Sequence, residues 1–117
     1  MRAWRFLVLI AFAAGADAPA GAHELSLQEC LEGGDFIAHA AEARDNGMTK
    51  EQFLERLVAD IRLIQSFPPQ LRWFVADADD ATFLHEEASR VFDARRTPDA
   101  HRAQFLSHCF DRSARLD

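Results

Sequence analysis

Apolar residues recur at helical spacing in three stretches of the chain, each with helix-start and helix-end signals. In the first stretch, Ser26 and Glu29 form the pattern of a reciprocal capping box. Gly47 then supplies a typical helix end, because glycine tolerates left-handed backbone. The pattern predicts one helix to about Asn46. Within it, Gly33-Gly34 lowers helix propensity and marks either a break or a close approach of another helix.

The second and third stretches are bounded in the same way. Thr49 and Gln52 form another capping pattern, and Pro68-Pro69 ends the second helix. An apolar stripe runs along one face of this helix for more than three turns, which predicts an amphipathic helix; its members are Phe53, Leu54, Leu57, Val58, Ile61 and Ile64. In the last stretch, Thr97 is the predicted N-cap and Pro98 the first helical residue.

Residues 70–93 are ambiguous, because two apolar faces follow each other and differ by about a quarter turn on an ideal helix. Either one curved helix runs through, or the segment 77–80 interrupts it and Asp79 or Asp80 caps a new helix. No strong helix breaker lies in the segment, so we predict one continuous helix. Since strand-like alternation is absent from the sequence, we predict an all-α fold, a compact bundle of four or five helices.

The N-terminal residues have the organisation of a cleavable signal peptide. Arginines precede the unbroken apolar run 6–14, and small residues follow up to Ala20-Gly21-Ala22. We expect cleavage after Ala22, with earlier alanines as alternatives, so that residues 1–22 form the leader and residues 23–117 a single helical domain. A membrane anchor is the competing interpretation, but the run is shorter than the roughly 20 residues that a bilayer core requires. The sequence therefore predicts a periplasmic or secreted protein without a stable membrane anchor.

The two cysteines, Cys30 and Cys109, lie near opposite ends of the predicted domain. An oxidising compartment favours a disulfide between them, and such a bridge would strongly restrict the unfolded chain. Two free buried thiols and an intermolecular bridge are the alternatives. We predict the internal bridge, which would join the first helix to the last.

Charge and composition narrow the range of partners. The formal net charge is −6, with 19 acidic and 13 basic residues. Phosphate binding needs clustered cations, so this balance argues against nucleic acid and against an anionic membrane surface. We expect another protein or a peptide as the partner.

Patterns that carry catalytic chemistry are incomplete in this chain. The segment His85-Glu86-Glu87-Ala88-Ser89 begins like a zinc-protease motif, but Ser89 stands where the second histidine is needed. We interpret it as an exposed acidic helix surface. Cys109 follows His108, yet adjacent helical residues point about 100° apart, and a disulfide would consume the thiol. We therefore expect neither an enzyme nor a cofactor.

The histidines suggest the alternative function, periplasmic metal binding. His101 and His108 share one face of the last helix but lie two turns, about 10 Å, apart, so solvated side chains are the default expectation. His39 on the first helix could join them. His23 would become the N-terminal residue after cleavage, and its imidazole and α-amine together could chelate copper.

An aromatic cluster follows the double proline and consists of Phe67, Leu71, Trp73 and Phe74. Such a cluster is either a partner-binding patch or the packing of a short segment onto its neighbours. Packing is the commoner role, and we keep these four residues as the candidate binding patch.

The layout resembles that of small, uncharacterised secreted helical proteins of proteobacteria. The resemblance is carried by the leader, by Cys30 early in the first helix, by the helix end Arg44-Asp45-x-Gly47, and by Cys109 near the C-terminus. In size, compartment and single disulfide the chain is also similar to acid-stress chaperones of the HdeA type. We expect a non-enzymatic periplasmic module that binds a protein or peptide or acts in stress. Acid would neutralise its carboxylates and is expected to loosen the bundle.

Overall fold

Four α-helices and a short 3₁₀ turn make up residues 25–116, the part of the chain that the computed structural model describes. The elements are α1 (Leu27–Asp45), α2 (Lys50–Gln65), the 3₁₀ turn (Pro69–Leu71), α3 (Ala78–Asp93) and α4 (Pro98–Leu116). These residues contain no strand, so the predicted all-α class is confirmed. None of the helices described is long and apolar enough to cross a bilayer. The predicted leader, residues 1–22, lies outside the described residues.

The helix ends form as their sequences predict. The Ser26 hydroxyl accepts from the backbone N–H of Glu29 at 3.1 Å, and the Glu29 carboxylate accepts from the Ser26 N–H at 3.0 Å. Thr49 and Gln52 repeat this reciprocal pair at the start of α2, at 3.1 and 2.9 Å. Gly47 has φ 103°, the left-handed conformation that ends α1.

The prediction of one helix through residues 70–93 is wrong. After the 3₁₀ turn the chain runs without regular structure to Asp77, whose carboxylate accepts from the Asp80 N–H at 2.9 Å and caps α3. The cap at Asp77 starts a new helix, so the two apolar faces that differ by about a quarter turn do not have to lie on one helix. Phe74 and Val75 are both fully buried within the irregular connection.

The core lies chiefly between α1 and α4, which run antiparallel and make the most extensive helix–helix contact of the described residues. Small residues on α1 permit this close approach. A Cβ on Gly33 would lie 2.6 Å from Cζ of Phe105 and 2.9 Å from Cε2 of Phe74, so only glycine fits beneath these two rings. The glycine pair therefore marks the close approach of a second helix, and α1 is continuous across it.

A disulfide fastens one end of the α1–α4 pair. Cys30 and Cys109 are bonded, with Cα atoms 5.9 Å apart and no solvent exposure of either residue. They are 79 residues apart in sequence. The predicted internal bridge is thus present, and it joins the first turn of α1 to the last turns of α4.

A buried arginine fastens the other end. Arg44, in the last turn of α1, donates to the carbonyl oxygens of Val91 and Arg96, both at 2.7 Å, and to the Asp45 carboxylate at 2.9 Å. The carbonyl of Val91 belongs to the last turn of α3, where helices leave acceptors without an internal partner. Arg44 thereby caps α3 and binds the connection between α3 and α4 to the end of α1.

Two polar pairs join α3 to α4 within the bundle. Arg112 donates to the fully buried Asp80 at 2.8 Å, and its guanidinium lies 5.1 Å from the centre of the Phe83 ring. Glu87, only 6% exposed, bonds to Nδ1 of His108 at 2.9 Å. Both interhelical pairs satisfy carboxylates that would otherwise be costly to bury.

The glycine pair provides a matched test of the α1–α4 packing. Gly33→Ala should destabilise the domain by about 1–3 kcal/mol, because the methyl group overlaps two buried rings. Gly34→Ala should be neutral or slightly stabilising, since its Cβ would meet the flexible Arg102 side chain at 3.2 Å and alanine favours helix. Urea unfolding of both variants measures the difference, and equal effects would contradict this packing.

Loss of the disulfide should lower the free energy of unfolding by about 4–5 kcal/mol in the chain-entropy model for a loop of this length. The Cys30→Ala/Cys109→Ala variant and the reduced wild type should therefore unfold at similar, much lower urea concentrations. The variant serves as its own control, because reductant should not change its midpoint. An unchanged midpoint in the double variant would show that helix packing alone holds the ends together.

Candidate functional site

Exposed large apolar side chains are gathered in one half of the bundle. Among the described residues they are Leu27, Leu31, Leu63, Phe67, Leu71 and Phe110, exposed by between 43 and 66%. Because α1 begins, α2 ends and α4 ends near the disulfide, all six lie toward that end. The opposite end carries the exposed ion pairs Lys50–Asp93 and Arg95–Asp45, and we call it the charged end.

The most prominent apolar surface is the connection that follows α2. We call residues 67–71, Phe-Pro-Pro-Gln-Leu, the apolar loop; all five are exposed. Phe67 is 44% and Leu71 66% exposed, and Leu63, near the end of α2, is 63% exposed. Three large apolar anchors therefore stand in solvent within a short segment of the chain.

The apolar loop is held in a fixed conformation by its backbone and by Arg72. Its two prolines restrict φ, and the Leu71 N–H donates to the Pro68 carbonyl at 2.8 Å. The Arg72 side chain donates through Nε to the Phe67 carbonyl at 2.8 Å and through Nη1 to the Ala76 carbonyl at 3.1 Å. One guanidinium thus braces both sides of the turn.

Trp73 and Phe74 anchor this connection to the core. Phe74 is fully buried, and its ring lies 5.8 Å from that of Phe105. The half-buried Trp73 donates through Nε1 to the Glu32 carboxylate of α1 at 2.7 Å. Hydrogen bonds from Gln28 and from Trp73 lower the pKa of Glu32, so this carboxylate stays charged and keeps its hold on the indole.

The predicted patch of four residues therefore divides into two parts. Phe67 and Leu71 face solvent as a binding patch would, whereas Trp73 and Phe74 carry out the packing role that was the alternative interpretation. Sequence reasoning missed Leu63 and Arg72. A signal existed for Leu63, because it is a large apolar residue outside the apolar stripe of α2, but nothing in the sequence indicated that Arg72 braces the turn.

The charge around the apolar loop differs from that of the chain as a whole. Residues 61–76 contain Arg62 and Arg72 but no aspartate or glutamate, although the whole chain has a net charge of −6. Glu32 of α1 is bonded to Trp73 at the base of the connection. The exposed segment is therefore apolar with a basic rim.

Shallow grooves lie on both sides of α2, which buries only Leu57 and Ile61. The groove between α1 and α2 has a volume of about 270 Å³ and is lined largely by the apolar side chains of Phe36, Met48, Phe53 and Leu57. The groove between α2 and α3 has a volume of about 440 Å³, with Val58 and Ile61 on one side and His85 on the other. Helix α2 is thus the most loosely packed of the four.

The histidines are not placed as predicted. His101 is 3% exposed, with its Nε2 2.9 Å from the Ala94 carbonyl oxygen, and His108 is bonded to Glu87, so neither is the freely solvated side chain that we expected. The interpretation of residues 85–89 as an exposed acidic surface is also wrong for Glu87, which is buried. Hydrophobic periodicity alone could not predict the burial of His101 and Glu87, because each is covered by another part of the fold.

These placements separate the candidate metal ligands. His101 and His108 bond to different groups, while His39 is exposed beside the groove between α1 and α2. Within residues 25–116, no three His, Cys, Asp or Glu side chains converge to hold a metal ion. His23 lies outside the described residues.

No protein-family model, curated protein or solved structure matches the chain. The resemblance to secreted proteobacterial proteins and to acid-stress chaperones therefore stays a prediction, and the function must be argued from the geometry above.

Replacing Arg72 tests whether it braces the apolar loop. Arg72→Met keeps the aliphatic stem but removes both hydrogen bonds, so the loop should open locally about tenfold more often, as expected for the loss of roughly 1–1.5 kcal/mol. Chymotrypsin cleavage after Leu71, at low protease concentration, measures this opening. Arg62→Met, at an exposed position on α2, is the control and should be cleaved like the wild type. Equal rates in all three proteins would contradict the bracing role.

Proposed function

We propose that this protein is an exported, non-enzymatic helical module that binds another protein or a peptide through Leu63, Phe67 and Leu71. The observation that carries the proposal is the apolar loop, which holds two of these anchors in solvent on a braced backbone. Clustered exposed apolar side chains mark protein–protein interaction sites, whereas isolated ones are ordinary on a surface.

Rigidity favours binding in physical terms. A flexible loop loses conformational freedom when a partner orders it, and this loss weakens the association. Here the prolines and the Arg72 hydrogen bonds have already restricted the backbone. Most of the free energy from burying Phe67 and Leu71 therefore remains available for affinity.

The partner that fits this surface has an apolar pocket with carboxylates at its edge. The pocket would receive the Phe67 and Leu71 side chains, as aromatic and aliphatic anchors do at the centre of protein interfaces. Acidic groups at the edge would lie near Arg62 and Arg72, in a segment that has no carboxylate of its own. Such charge complementarity chiefly favours the rate and orientation of association.

Export is part of the proposal and is supported by two independent features. One is the leader pattern of residues 1–22, and the other is the Cys30–Cys109 disulfide. Disulfides persist in oxidising compartments such as the periplasm or the exterior of the cell.

A binding role rather than a catalytic one is supported by the bonding of the buried ionisable groups. Arg44, Asp80, Glu87 and His101 each bond to another part of the fold. These bonds join helices to one another, so the buried charges act in the architecture of the bundle.

The double substitution Phe67→Ser/Leu71→Ser should abolish partner binding while leaving the fold intact, because both side chains are exposed. The matched control is Leu27→Ser, since Leu27 is 64% exposed, like Leu71 at 66%, but lies on α1. Affinity for a purified captured partner is measured by calorimetry, and circular dichroism checks the fold. A loss of about 100-fold or more is expected for the double variant if both residues are interface anchors.

Site-specific photo-crosslinking identifies the partner before affinities are measured. A crosslinker at Gln70, in the apolar loop, should capture a protein that a crosslinker at Asp99, at the charged end, does not. If both positions capture the same proteins, or if the double variant binds as well as the wild type, this assignment of the surface is wrong.

A further inference from the structure

Two histidines of α4, the buried His101 and the partly exposed His108, face opposite charges. His101 of α4 lies against Arg44, with 3.3 Å between its Nε2 and Nη1 of the arginine. His108, on the same helix, lies against the Glu87 carboxylate at 2.9 Å. A proton added to His108 creates an ion pair, whereas a proton added to His101 places two cations in contact.

The neutral form of His101 fits its surroundings. Its Nε2 lies 2.9 Å from the carbonyl oxygen of Ala94, so an N–H at this position donates to that oxygen. The residue is 3% exposed, and the Arg44 guanidinium beside it is itself held by the carbonyls of Val91 and Arg96. The Arg44 guanidinium and a protonated His101 ring could reach water only by breaking their hydrogen bonds to these backbone carbonyls.

The ionisable groups around His101 come from α1 and from the connection between α3 and α4. Arg44 and Asp45 face it from α1, and Arg96 faces it from the connection. Helix α3 contributes the backbone carbonyl of Val91, which binds Arg44. Two arginines thus oppose one carboxylate, and Asp45 is itself shared between Arg44 and Arg95.

Burial lowers the pKa of His101 below its ordinary value, and the Ala94 carbonyl opposes this shift. The charges of Arg44 and Arg96 lower it further, while Asp45 raises it. The folded state therefore binds this proton less readily than the unfolded state. Neutral His101 therefore makes its full contribution to the free energy of unfolding above the ordinary histidine pKa of about 6.5. This contribution is lost as the pH falls from there through the lowered pKa of the folded state.

We propose that Arg44 and His101 form an acid-sensitive clasp that releases the charged end of the bundle on acidification, while the disulfide end stays closed. Release frees the connection 94–97 from α1 and loosens the last turn of α3. This inference concerns a different part of the molecule from the apolar loop and does not depend on the proposed function.

The surface uncovered by this release is apolar. Phe92 of α3 lies in sequence between Val91, whose carbonyl binds Arg44, and Ala94, whose carbonyl binds His101. Its ring is 5.5 Å from that of Phe53. Phe53 in turn lies 5.7 Å from Phe36 of α1. Movement of the α3 end would separate Phe92 from Phe53 and expose apolar ring surface at this end of the bundle.

The other end is held by the Cys30–Cys109 disulfide, which does not titrate. The release is therefore a local opening about a fixed end.

Hydrogen exchange on the oxidised full-length chain tests the clasp at pH 7.5 and 5.0, with rates corrected for the intrinsic effect of pH. In the wild type, protection of amides 92–101 should fall about threefold or more, with tenfold corresponding to one pKa unit of linkage. Amides 28–34 and 105–112 should keep their protection. His101→Gln, which retains an N–H donor but cannot titrate, should lose the pH dependence at 92–101. His39→Gln, at an exposed position, should behave like the wild type.

The proposal is overturned if protection at 92–101 does not change with pH, if it falls equally throughout the bundle, or if His101→Gln loses as much protection as the wild type. Should His101→Gln fail to fold, an NMR titration of the His101 ring in the wild type decides the matter. A midpoint at or above about 6.5 would rule out the clasp, because the folded state would then not resist the proton.

Discussion

The antiparallel contact between α1 and α4 is the constraint on which the rest of this structure depends. Gly33 lets the Phe105 and Phe74 rings lie directly on the α1 backbone, and no side chain larger than hydrogen would leave them room. Because the first and last helices meet in this way, the cysteines can bond across 79 residues, while α3 packs on α1 and is joined to α4 by the Asp80–Arg112 and Glu87–His108 pairs. A small domain has little apolar core, so a covalent link at this contact contributes a large share of its stability.

The two ends of this contact are held by different chemistry. A disulfide is indifferent to pH, whereas the Arg44–His101 cluster depends on one imidazole remaining neutral. The distribution of side chains follows the same division, since the exposed apolar residues lie toward the disulfide and ion pairs such as Lys50–Asp93 lie at the other end.

The apolar loop is an exposed surface held by local hydrogen bonds rather than the wall of a cavity. Trp73 and Phe74 are sequence neighbours of Leu71, yet they are turned inward, and Arg72 between them and the loop closes the turn through backbone carbonyls. The exposure of Phe67 and Leu71 is thus the consequence of how the following residues pack. The same connection separates the 3₁₀ turn from α3, and Phe74 and Val75 are both fully buried within it.

The helix starts at Ser26, Thr49 and Thr97 and the end at Gly47 were determined by the sequence itself, because caps and turns depend on residues close together in the chain. The internal disulfide could also be predicted, from two cysteines and a leader pattern. Tertiary structure alone decided the burial of Arg44, Glu87 and His101 and the division of the aromatic cluster. The physical reason is that each of these depends on groups about 20 to 60 positions away that only packing brings within reach, such as the Val91 carbonyl at 2.7 Å from Arg44.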